Sequence, residues 1–382
     1  MSKKFQTALV QVRNLCKHFP IERGFFKNQV GSVKAVDSIS FDVRHGEILA
    51  LVGESGCGKT TAGRCIVRAI EPSAGSIHVN IDGVGYEMSE LSAPKLKAVR
   101  RHIGMIFQDP YSSLNPRLNV MEIVGEPLVN YGAESSRKKI EERVAELLTS
   151  VKLDPIYMLR YPHSFSGGQR QRVAIARALA LNPRFVVADE PVSALDVSVQ
   201  AQILTLLRDL RDAHDLTYLF VSHNLSVVEY ISDRILVMYA GKIVEFGETH
   251  ALFQNPLHPY TEALLSAVPR VDTRSRNQKR RIVLKGEVAD VSNLPSGCHF
   301  HPRCSYAEEI CRTEAPPLVD FSTTGVASHL VACHFANRLS LEGVPLMPPT
   351  EKFFIGDERT GAARGRKPST LSIQNPSDKT IN

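Results

Sequence analysis

The sequence predicts an α/β fold whose core is a parallel sheet. Over the first ~250 residues, short β-branched and apolar runs alternate with segments of helical spacing, a pattern typical of parallel strands joined by crossover helices. A glycine-rich segment separates one such strand from the next helix, and four of the seven cysteines fall late in the chain, at 298–333. We therefore expect an α/β core followed by a small cysteine-rich module.

Composition and charge set broad limits. The chain has 382 residues, 43% of them hydrophobic and 23% charged, which fits two globular domains with a tail and excludes wholesale disorder. No apolar run approaches the ~18 residues of a membrane helix, and the N-terminus lacks the apolar stretch of a secretion signal, so we expect a soluble, unexported protein with reduced cysteines. The net charge of +6 is compatible with an anionic membrane surface, a nucleotide or a nucleic acid.

Individual elements follow from the same patterns. Strands are predicted at Ile48–Val52, Arg101–Phe107, Phe185–Ala188 and Tyr218–Ser222, and helices at Lys59–Ile70, Gln169–Leu181 and Val199–His214. The charged stretch Glu134–Leu153 has apolar residues at helical spacing. It indicates a helical insertion, which we place at about residues 110–180.

Composition also divides the chain. The first domain is expected at 8–270, and a basic connector, Arg270–Lys285, leads into the cysteine-rich module at 285–338. Residues 345–382 are poor in apolar residues and rich in Gly, Pro, Ser, Thr and charge. We expect this tail to be mostly disordered.

The segment Gly53–Thr60, GESGCGKT, directly follows a predicted strand and opens a predicted helix. Its glycines let backbone N–H groups turn around phosphate oxygens, and the helix N-terminus adds a positive dipole end. Lys59 would reach the β- and γ-phosphates of a nucleotide, and Thr60 would offer a hydroxyl to Mg²⁺. The alternative is a glycine-rich turn with a solvated lysine.

A second carboxylate for the metal is expected where the strand at 185–188 ends. Asp189 and Glu190 follow that strand directly. Asp189 could hold Mg²⁺, and Glu190 is placed to polarise an attacking water. The alternative is a strand end with two solvated acids.

Three more polar segments fit a phosphate site. Ser166 suits the N-cap of the helix that starts in the sequence SFSGGQ, residues 164–169, and Gly168 would allow close backbone approach. His223 follows the strand at 218–222, and Gln108 follows the strand that ends at Phe107. Taken singly, Gln108 and His223 could equally be polar residues with structural partners.

Taken together, these motifs resemble the ATP-binding subunit of an ABC transporter. The phosphate loop, Gln108, SFSGGQ, Asp189–Glu190, the loop 193–196 and His223 occur in that family's order, and the resemblance covers about residues 8–270. It implies the phosphate-loop core of the ABC ATPase type with an inserted helical subdomain. The nucleotide-binding residues that it implies are Phe19, which would stack on adenine, Gly53, Glu54, Ser55, Gly56, Cys57, Gly58, Lys59, Thr60, Thr61 and Gln108. Phe19 could alternatively be a core aromatic.

The resemblance also implies a mechanism. Two such subunits would pair head to tail, so that Ser166, Gly167, Gly168 and Gln169 of one cover ATP bound to the other. The catalytic residues would be Lys59, Glu190 as the base and His223 at the transition state. Mg²⁺ would be held through Thr60, Gln108 and Asp189. Gln108 would connect the γ-phosphate to the helical insertion, where membrane subunits dock.

Two longer segments resemble one branch of the family. Residues 107–116, FQDPYSSLNP, and 256–261, PLHPYT, resemble importer subunits for oligopeptides and dipeptides. Related importers take nickel complexes or glutathione, which leaves those substrates as alternatives. This branch also carries a C-terminal extension with four cysteines.

The four late cysteines are Cys298, Cys304, Cys311 and Cys333. Four thiolates suffice for one tetrahedral zinc site or one iron–sulfur cluster, and the spacing alone does not choose between them. His299, His301 and His334 flank them as possible substitute ligands, and free thiols are the remaining alternative. The resemblance to the importer extension favours [4Fe–4S] in a structural role.

The partners that the resemblance implies are a second ATP-binding subunit (a paralogue or a second copy), two integral membrane permeases and a substrate-binding protein. The chain would then act as a peripheral protein on the cytoplasmic face of the inner membrane, and no nucleic acid is expected. The alternative from another class is a soluble ABC ATPase that acts on ribosomes or DNA, with the basic connector as its contact.

Overall fold

A computed structural model describes residues 8–23, 28–134, 136–268, 281–286, 289–322 and 328–346. Most of the basic connector, at 269–280, and the predicted tail from residue 347 onward lie outside these described residues. Within the described ranges, no helix combines the length and the apolar character needed to cross a bilayer.

The elements alternate along most of the chain. The strands are β1 (Ala8–Arg23), β2 (Asn28–Arg44), β3 (Ile48–Val52), β4 (Ala74–Ile81), β5 (Val84–Glu87), β6 (Ile103–Ile106), β7 (Phe185–Asp189), β8 (Thr217–Ser222), β9 (Arg234–Tyr239), β10 (Lys242–Glu248), β11 (Val319–Asp320) and β12 (Leu330–Val331). The helices are α1 (Lys59–Ile66), α2 (Ala93–Arg100), α3 (Pro110–Ser113), α4 (Val120–Asn130), α5 (Arg137–Ser150), α6 (Gly167–Ala178), α7 (Val197–His214), α8 (Leu225–Ile231), α9 (Thr249–Gln254), α10 (Pro259–Ser266) and α11 (Glu309–Thr313). Short 3₁₀ turns lie at Met88–Glu90, Pro155–Leu159, Pro162–Ser164 and His301–Arg303.

The larger sheet positions the site. Its order is β11-β12-β10-β9-β3-β8-β7-β6, and the five strands from β9 to β6 are parallel. The residues that pair at the carboxyl ends are Val52 with Ser222, Asp189 with Val221, and Ile106 with Ala188. The loops after β3, β6, β7 and β8 therefore emerge at one edge, which is where parallel α/β sheets bind ligands.

A second sheet was not predicted. It has four strands in the order β2-β1-β4-β5, and every neighbouring pair is antiparallel. The predicted parallel strands are present in the larger sheet, and this antiparallel sheet is an addition that the sequence did not reveal. The pairing of β1 with β2 shifts register several times, and each shift breaks the strict in–out alternation that would have identified the strands.

The predicted strands and helices of the core are confirmed in type, with small differences in their ends. Helix α1 ends at Ile66 rather than at residue 70, because Arg68 takes the left-handed conformation with φ 53°. Between β6 and β7, the part of the chain that the structure describes contains helices and turns and no strand. The inner faces of α4, α5 and α6 share one apolar core with the β-sheet, as the helical insertion requires.

Candidate active site

The phosphate loop connects β3 to α1 and is pressed against neighbouring backbone. Gly53 has φ 152°, and a Cβ there would lie 2.2 Å from the Met238 carbonyl oxygen. Gly58 has φ 106°, and a Cβ there would lie 2.0 Å from the Ala35 carbonyl oxygen. Only glycine fits these two positions. The Lys59 ammonium is buried and donates to the carbonyl oxygens of Gly53 (2.8 Å) and Glu54 (2.9 Å). The loop therefore holds a lysine charge directly beside its own backbone.

Asp189 and Thr60 form a donor set for a hard cation. The Thr60 hydroxyl donates to Asp189 Oδ1 at 2.8 Å. Asp189 Oδ2 is buried and has no hydrogen-bond partner among the described residues, and burial raises the pKa of this carboxyl. A buried carboxylate oxygen without a partner among the described residues, next to a hydroxyl at the start of helix α1, fits Mg²⁺.

Glu190 is approached from two neighbouring strand ends. Gln108, after β6, donates from Nε2 to Glu190 Oε2 at 3.1 Å, and Nδ1 of His223, after β8, lies 3.0 Å from Oε1. The Glu190 backbone has φ 45° and its N–H donates to the Val221 carbonyl, a conformation that non-glycine residues adopt at some cost. Its side chain is 12% exposed, against 53% for His223. The arrangement places one carboxylate, with a polar partner on each oxygen, at the sheet edge from which the phosphate loop also emerges.

Phe19 lies on β1 and its ring is exposed, at 37%. The ammonium of Lys17 lies 4.9 Å from the ring centroid. The ring is therefore not part of the core, which argues against the structural alternative. An exposed aromatic face of this kind can stack on a purine base.

The segment Ser166–Gln169 starts α6 as predicted. The Ser166 hydroxyl accepts from the Gln169 N–H, and the Gln169 side chain accepts from the Ser166 N–H, a complete capping box. A Cβ on Gly168 would lie 2.5 Å from Val199 Cγ1. The absence of a side chain at Gly168 therefore lets α6 pack closely against α7 within this chain. In the described chain, no hydrogen bond joins this segment to the phosphate loop of the same molecule.

Two residues that touch the phosphate loop were not singled out from the sequence. Arg303 donates to both carboxylate oxygens of Glu54, at 2.6 and 3.1 Å, and the Glu54 N–H donates to the Tyr260 hydroxyl at 2.8 Å. Tyr260 belongs to the quoted PLHPYT segment, and Arg303 directly precedes Cys304. In the sequence, Arg303 is recognisable only as an arginine between two cysteines, and no motif relates it to Glu54.

The four late cysteines line one small enclosed cavity, together with Phe300 and Phe335. Burial raises the pKa of Cys298 to about 11 and that of Cys304 to about 12. Among the described residues, no three of these four sulfurs lie within 4.8 Å of one another. Tetrahedral zinc, with Zn–S near 2.3 Å, would need sulfurs about 3.8 Å apart, whereas a cubane cluster spreads its thiolates over separate irons.

The flanking histidines have other hydrogen-bond partners. His299 Nδ1 lies 3.2 Å from the Ala240 carbonyl oxygen, His301 Nδ1 lies 2.9 Å from that of Cys298, and His334 Nε2 lies 3.0 Å from that of Glu314. Each bond uses one ring nitrogen, and a metal-ligating histidine commonly makes such a bond with its second nitrogen, so these contacts are compatible with the histidines as substitute ligands. A different group among the described residues, Cys16, His18 and Asp37, has its candidate ligand atoms within 4.8 Å of one another. In that group the Asp37 carboxylate is already ion-paired with Lys242 at 3.0 Å.

His258 caps the helix that carries Tyr260. It is buried, its ring Nδ1 accepts from the Tyr260 N–H at 3.0 Å, and its backbone N–H donates to Glu245 Oε2 at 3.1 Å. Burial lowers the pKa of His258 to about 3. The imidazole is therefore neutral in the folded protein near pH 7. It caps the helix whose Tyr260 contacts the phosphate loop.

We expect acidification to destabilise the parent protein more than His258→Asn. The folded pKa lies below the ~6.5 of an unfolded histidine, so the stability from the neutral ring is complete above about pH 6.5 and is lost as the pH falls from there towards 3, by up to about 1.4 kcal/mol per pH unit. Asparagine can accept the same bond from Tyr260 without titrating. Urea unfolding near pH 7 and near pH 5 measures the difference. An equal loss in both proteins would contradict the assignment.

Comparisons with known proteins identify two families of related sequences. The profile of the ABC transporter family matches residues 36–193, and that of the oligopeptide/dipeptide transporter C-terminal region matches 244–311. The oligopeptide transport ATP-binding protein AppF of Bacillus subtilis (strain 168) is 50% identical over 335 residues, which cover 87% of this chain and 99% of that protein. The probable peptide ABC transporter ATP-binding protein y4tS of Sinorhizobium fredii is 50% identical over 328 residues, 86% of this chain and 90% of that one.

A solved structure has the same core. It is a dimeric, post-hydrolysis state of the ATP-binding cassette MJ0796 bound to ADP and Pi, and it aligns with a TM-score of 0.55 and 29% identity over 63% of this chain and 98% of that one. The predicted fold class is therefore confirmed.

Proposed function

The chain belongs to the ABC transporter family, and from that premise we propose that it is the ATP-hydrolysing subunit of a membrane transporter that imports peptides. The observation that carries the ATPase part is the convergence of Gln108 and His223 on Glu190, at the sheet edge from which the phosphate loop also emerges. Peptide import is supported by the two relatives of 50% identity, whose names specify peptide or oligopeptide transport.

In the proposed reaction the residues of the edge divide the tasks, and Gln108 has two of them. Lys59 leaves its two carbonyl partners to bind the β- and γ-phosphates, and Phe19 stacks on the adenine. Thr60, Asp189 and Gln108 would hold Mg²⁺, which supplies charge neutralisation at the phosphates. Glu190 accepts a proton from the attacking water, while His223 donates to the γ-phosphate and Gln108 keeps the carboxylate oriented.

Ser166–Gln169 is proposed to act in trans on ATP bound to a second ATP-binding subunit, a paralogue or a second copy. The segment opens helix α6 with a capping box, and the N-terminus of a helix is a place where an anion binds well. None of its described hydrogen bonds goes to the phosphate loop of its own chain, which supports a partner as the recipient.

Permeases are proposed to dock beside Gln108. An open groove of about 780 Å³ runs from the end of β6 to the helical insertion, and it is lined by Gln108, Phe107, Glu126, Tyr131 and Arg177, among others. Arg177 donates to the Ser113 carbonyl at 2.6 Å, so the groove wall includes both the loop after β6 and the insertion. A helix pressed into this groove would therefore move with the γ-phosphate contact of Gln108. If permeases dock there, the chain is located at the cytoplasmic face of the inner membrane.

We also propose that Cys298, Cys304, Cys311 and Cys333 hold [4Fe–4S] rather than zinc. One small cavity lined by all four thiols supports a single centre, and the resemblance of this region to the extension of the peptide importers favours a cluster. Anaerobic purification should give iron and acid-labile sulfide in equal amounts with absorption in the visible range. Cys304→Ala should lose them and Cys16→Ser should keep them, whereas stoichiometric zinc would contradict the cluster.

The function is tested by isolating the tagged chain from native membranes in mild detergent and identifying the proteins that accompany it by mass spectrometry. We expect two multi-span permeases, a second ATPase and a substrate-binding protein. Stimulation of ATP hydrolysis by that binding protein loaded with peptide, but not with a nickel complex or glutathione, would support peptide import. Recovery only with ribosomal or DNA-repair proteins would contradict transport.

A further inference from the structure

Glu54, the second residue of the phosphate loop, has all its polar groups engaged. Its carbonyl accepts from Lys59 at 2.9 Å, its N–H donates to Tyr260 at 2.8 Å, and its carboxylate accepts two bonds from Arg303. Two of these three partners lie outside the parallel core: Tyr260 is 206 residues and Arg303 is 249 residues after Glu54 in the sequence. The shape of the loop therefore depends on segments that are remote in sequence.

The bond to Arg303 is a strong one. Nη1 and Nη2 of the guanidinium reach opposite oxygens of the carboxylate, at 2.6 and 3.1 Å, in the fork geometry that is specific to arginine. The Arg303 side chain is 7% exposed and that of Glu54 is 26% exposed, so water screens the pair only in part. Removing one member would leave the other incompletely paired in a largely buried place.

Arg303 is held by the cysteine module. It ends the 3₁₀ turn His301–Arg303, which lies between Cys298 and Cys304. The His301 N–H donates to the Cys298 carbonyl at 3.0 Å, and the Cys304 N–H donates to the His301 carbonyl at 3.3 Å. The backbone bonds of the turn thus join two of the four cysteines, and the orientation of Arg303 follows theirs.

Aromatic packing connects the same turn to Tyr260. The buried ring of Phe300 lies 5.4 Å from Tyr260 and 5.2 Å from Tyr239, and the two tyrosine rings are 4.8 Å apart. The Tyr239 hydroxyl lies 3.5 Å from Arg303 Nη1. Both partners of Glu54 are therefore fixed by one buried cluster rather than by two independent contacts.

We propose that Arg303 is a positioning residue for the phosphate loop, through which the cysteine module forms a working part of the nucleotide site. This inference rests on the ATP site proposed above and adds a requirement to it. The loop binds phosphate tightly only while Glu54 is held by the turn between Cys298 and Cys304. The module is then more than an appendage that packs on the core.

The test compares Arg303→Gln, Arg303→Lys and the parent by titration with the fluorescent nucleotide mant-ADP, and by steady-state ATP hydrolysis. Arg303→Gln should weaken mant-ADP binding and raise KM for ATP about tenfold, with kcat changed by less than about threefold, because the loop is displaced while Glu190 is untouched. Lysine keeps the charge without the fork and should restore part of the affinity. The matched control is Arg338→Gln, which removes the exposed ion pair with Glu308 in the same module and should leave affinity unchanged.

A double-variant cycle with Glu54→Gln separates positioning from general stability. If Arg303 acts through Glu54, the double variant should bind mant-ADP no more weakly than the weaker single variant. The inference would be overturned if the losses of mant-ADP affinity in the two single variants multiplied in the double variant. It would also be overturned if Arg303→Gln lowered the melting temperature but bound mant-ADP with parental affinity. Failure of the parent itself to bind nucleotide would instead overturn the proposed ATP site together with it.

Discussion

Replacing Glu190 with glutamine is expected to lower ATP turnover by a factor of about 100 to 10,000, the range that a positioned general base supplies, while ATP still binds. Glutamine has nearly the same shape, and its oxygen can accept the bond from Gln108 that now reaches Glu190 at 3.1 Å. The site should therefore keep its geometry and lose only the group that accepts a proton from water.

Single-turnover hydrolysis with radiolabelled ATP measures the chemical step, and filter binding measures retention of the nucleotide. Glu71→Gln is the matched control, since its side chain is 65% exposed and pairs only with Arg68 among the described contacts. Normal turnover by Glu190→Gln would refute the assignment of the base. Loss of binding in the same variant would show instead that Glu190 shapes the nucleotide site.

The second large effect is expected at Lys59. Lys59→Gln should lower ATP hydrolysis by a factor of about 100 to 1,000, as removal of one preorganised charge-stabilising donor typically does, and ATP binding should weaken as well. Glutamine can still donate to the Gly53 and Glu54 carbonyls that Lys59 contacts at 2.8 and 2.9 Å. The loop should thus stay folded while the positive charge is lost.

The measurements for Lys59 are equilibrium titration with mant-ATP and steady-state hydrolysis. Lys152→Gln is the control, because its ion pair with Asp209 is more than half exposed and such pairs contribute little. Parental affinity and turnover in Lys59→Gln would exclude Gly53–Thr60 as the phosphate site. A reduced melting temperature without a change in affinity would assign Lys59 a purely structural role.

Local sequence signals carried a large part of the fold and site. The strand at 48–52, the glycine-rich loop and the helix that starts at Lys59 are contiguous, and the observed elements begin where predicted. Ser166 was predicted as an N-cap from its place before GGQ, and it forms the full capping box. Such features depend on residues within one turn or one strand of each other, which is why sequence alone reveals them.

Other features depend on long-range contacts and escaped prediction. The antiparallel sheet of β1, β2, β4 and β5 was missed because bulges interrupt its alternation. The C-terminal strands β11 and β12 extend the core sheet through pairing of β12 with β10, and no local pattern of two-residue strands predicts that partner. The fork between Arg303 and Glu54 spans 249 residues.

Reading the residues in order was enough to identify the groups available for chemistry: a phosphate loop with Lys59 and Thr60, two acids after a buried strand, and four thiols late in the chain. The contacts of Gln108 and His223 with Glu190, and of the cysteine turn with Glu54, became visible in the folded structure. Motifs depend on local backbone geometry, whereas the contacts of Glu190 depend on the order and register of strands in the sheet, and the contact with Glu54 depends on the packing of the C-terminal module.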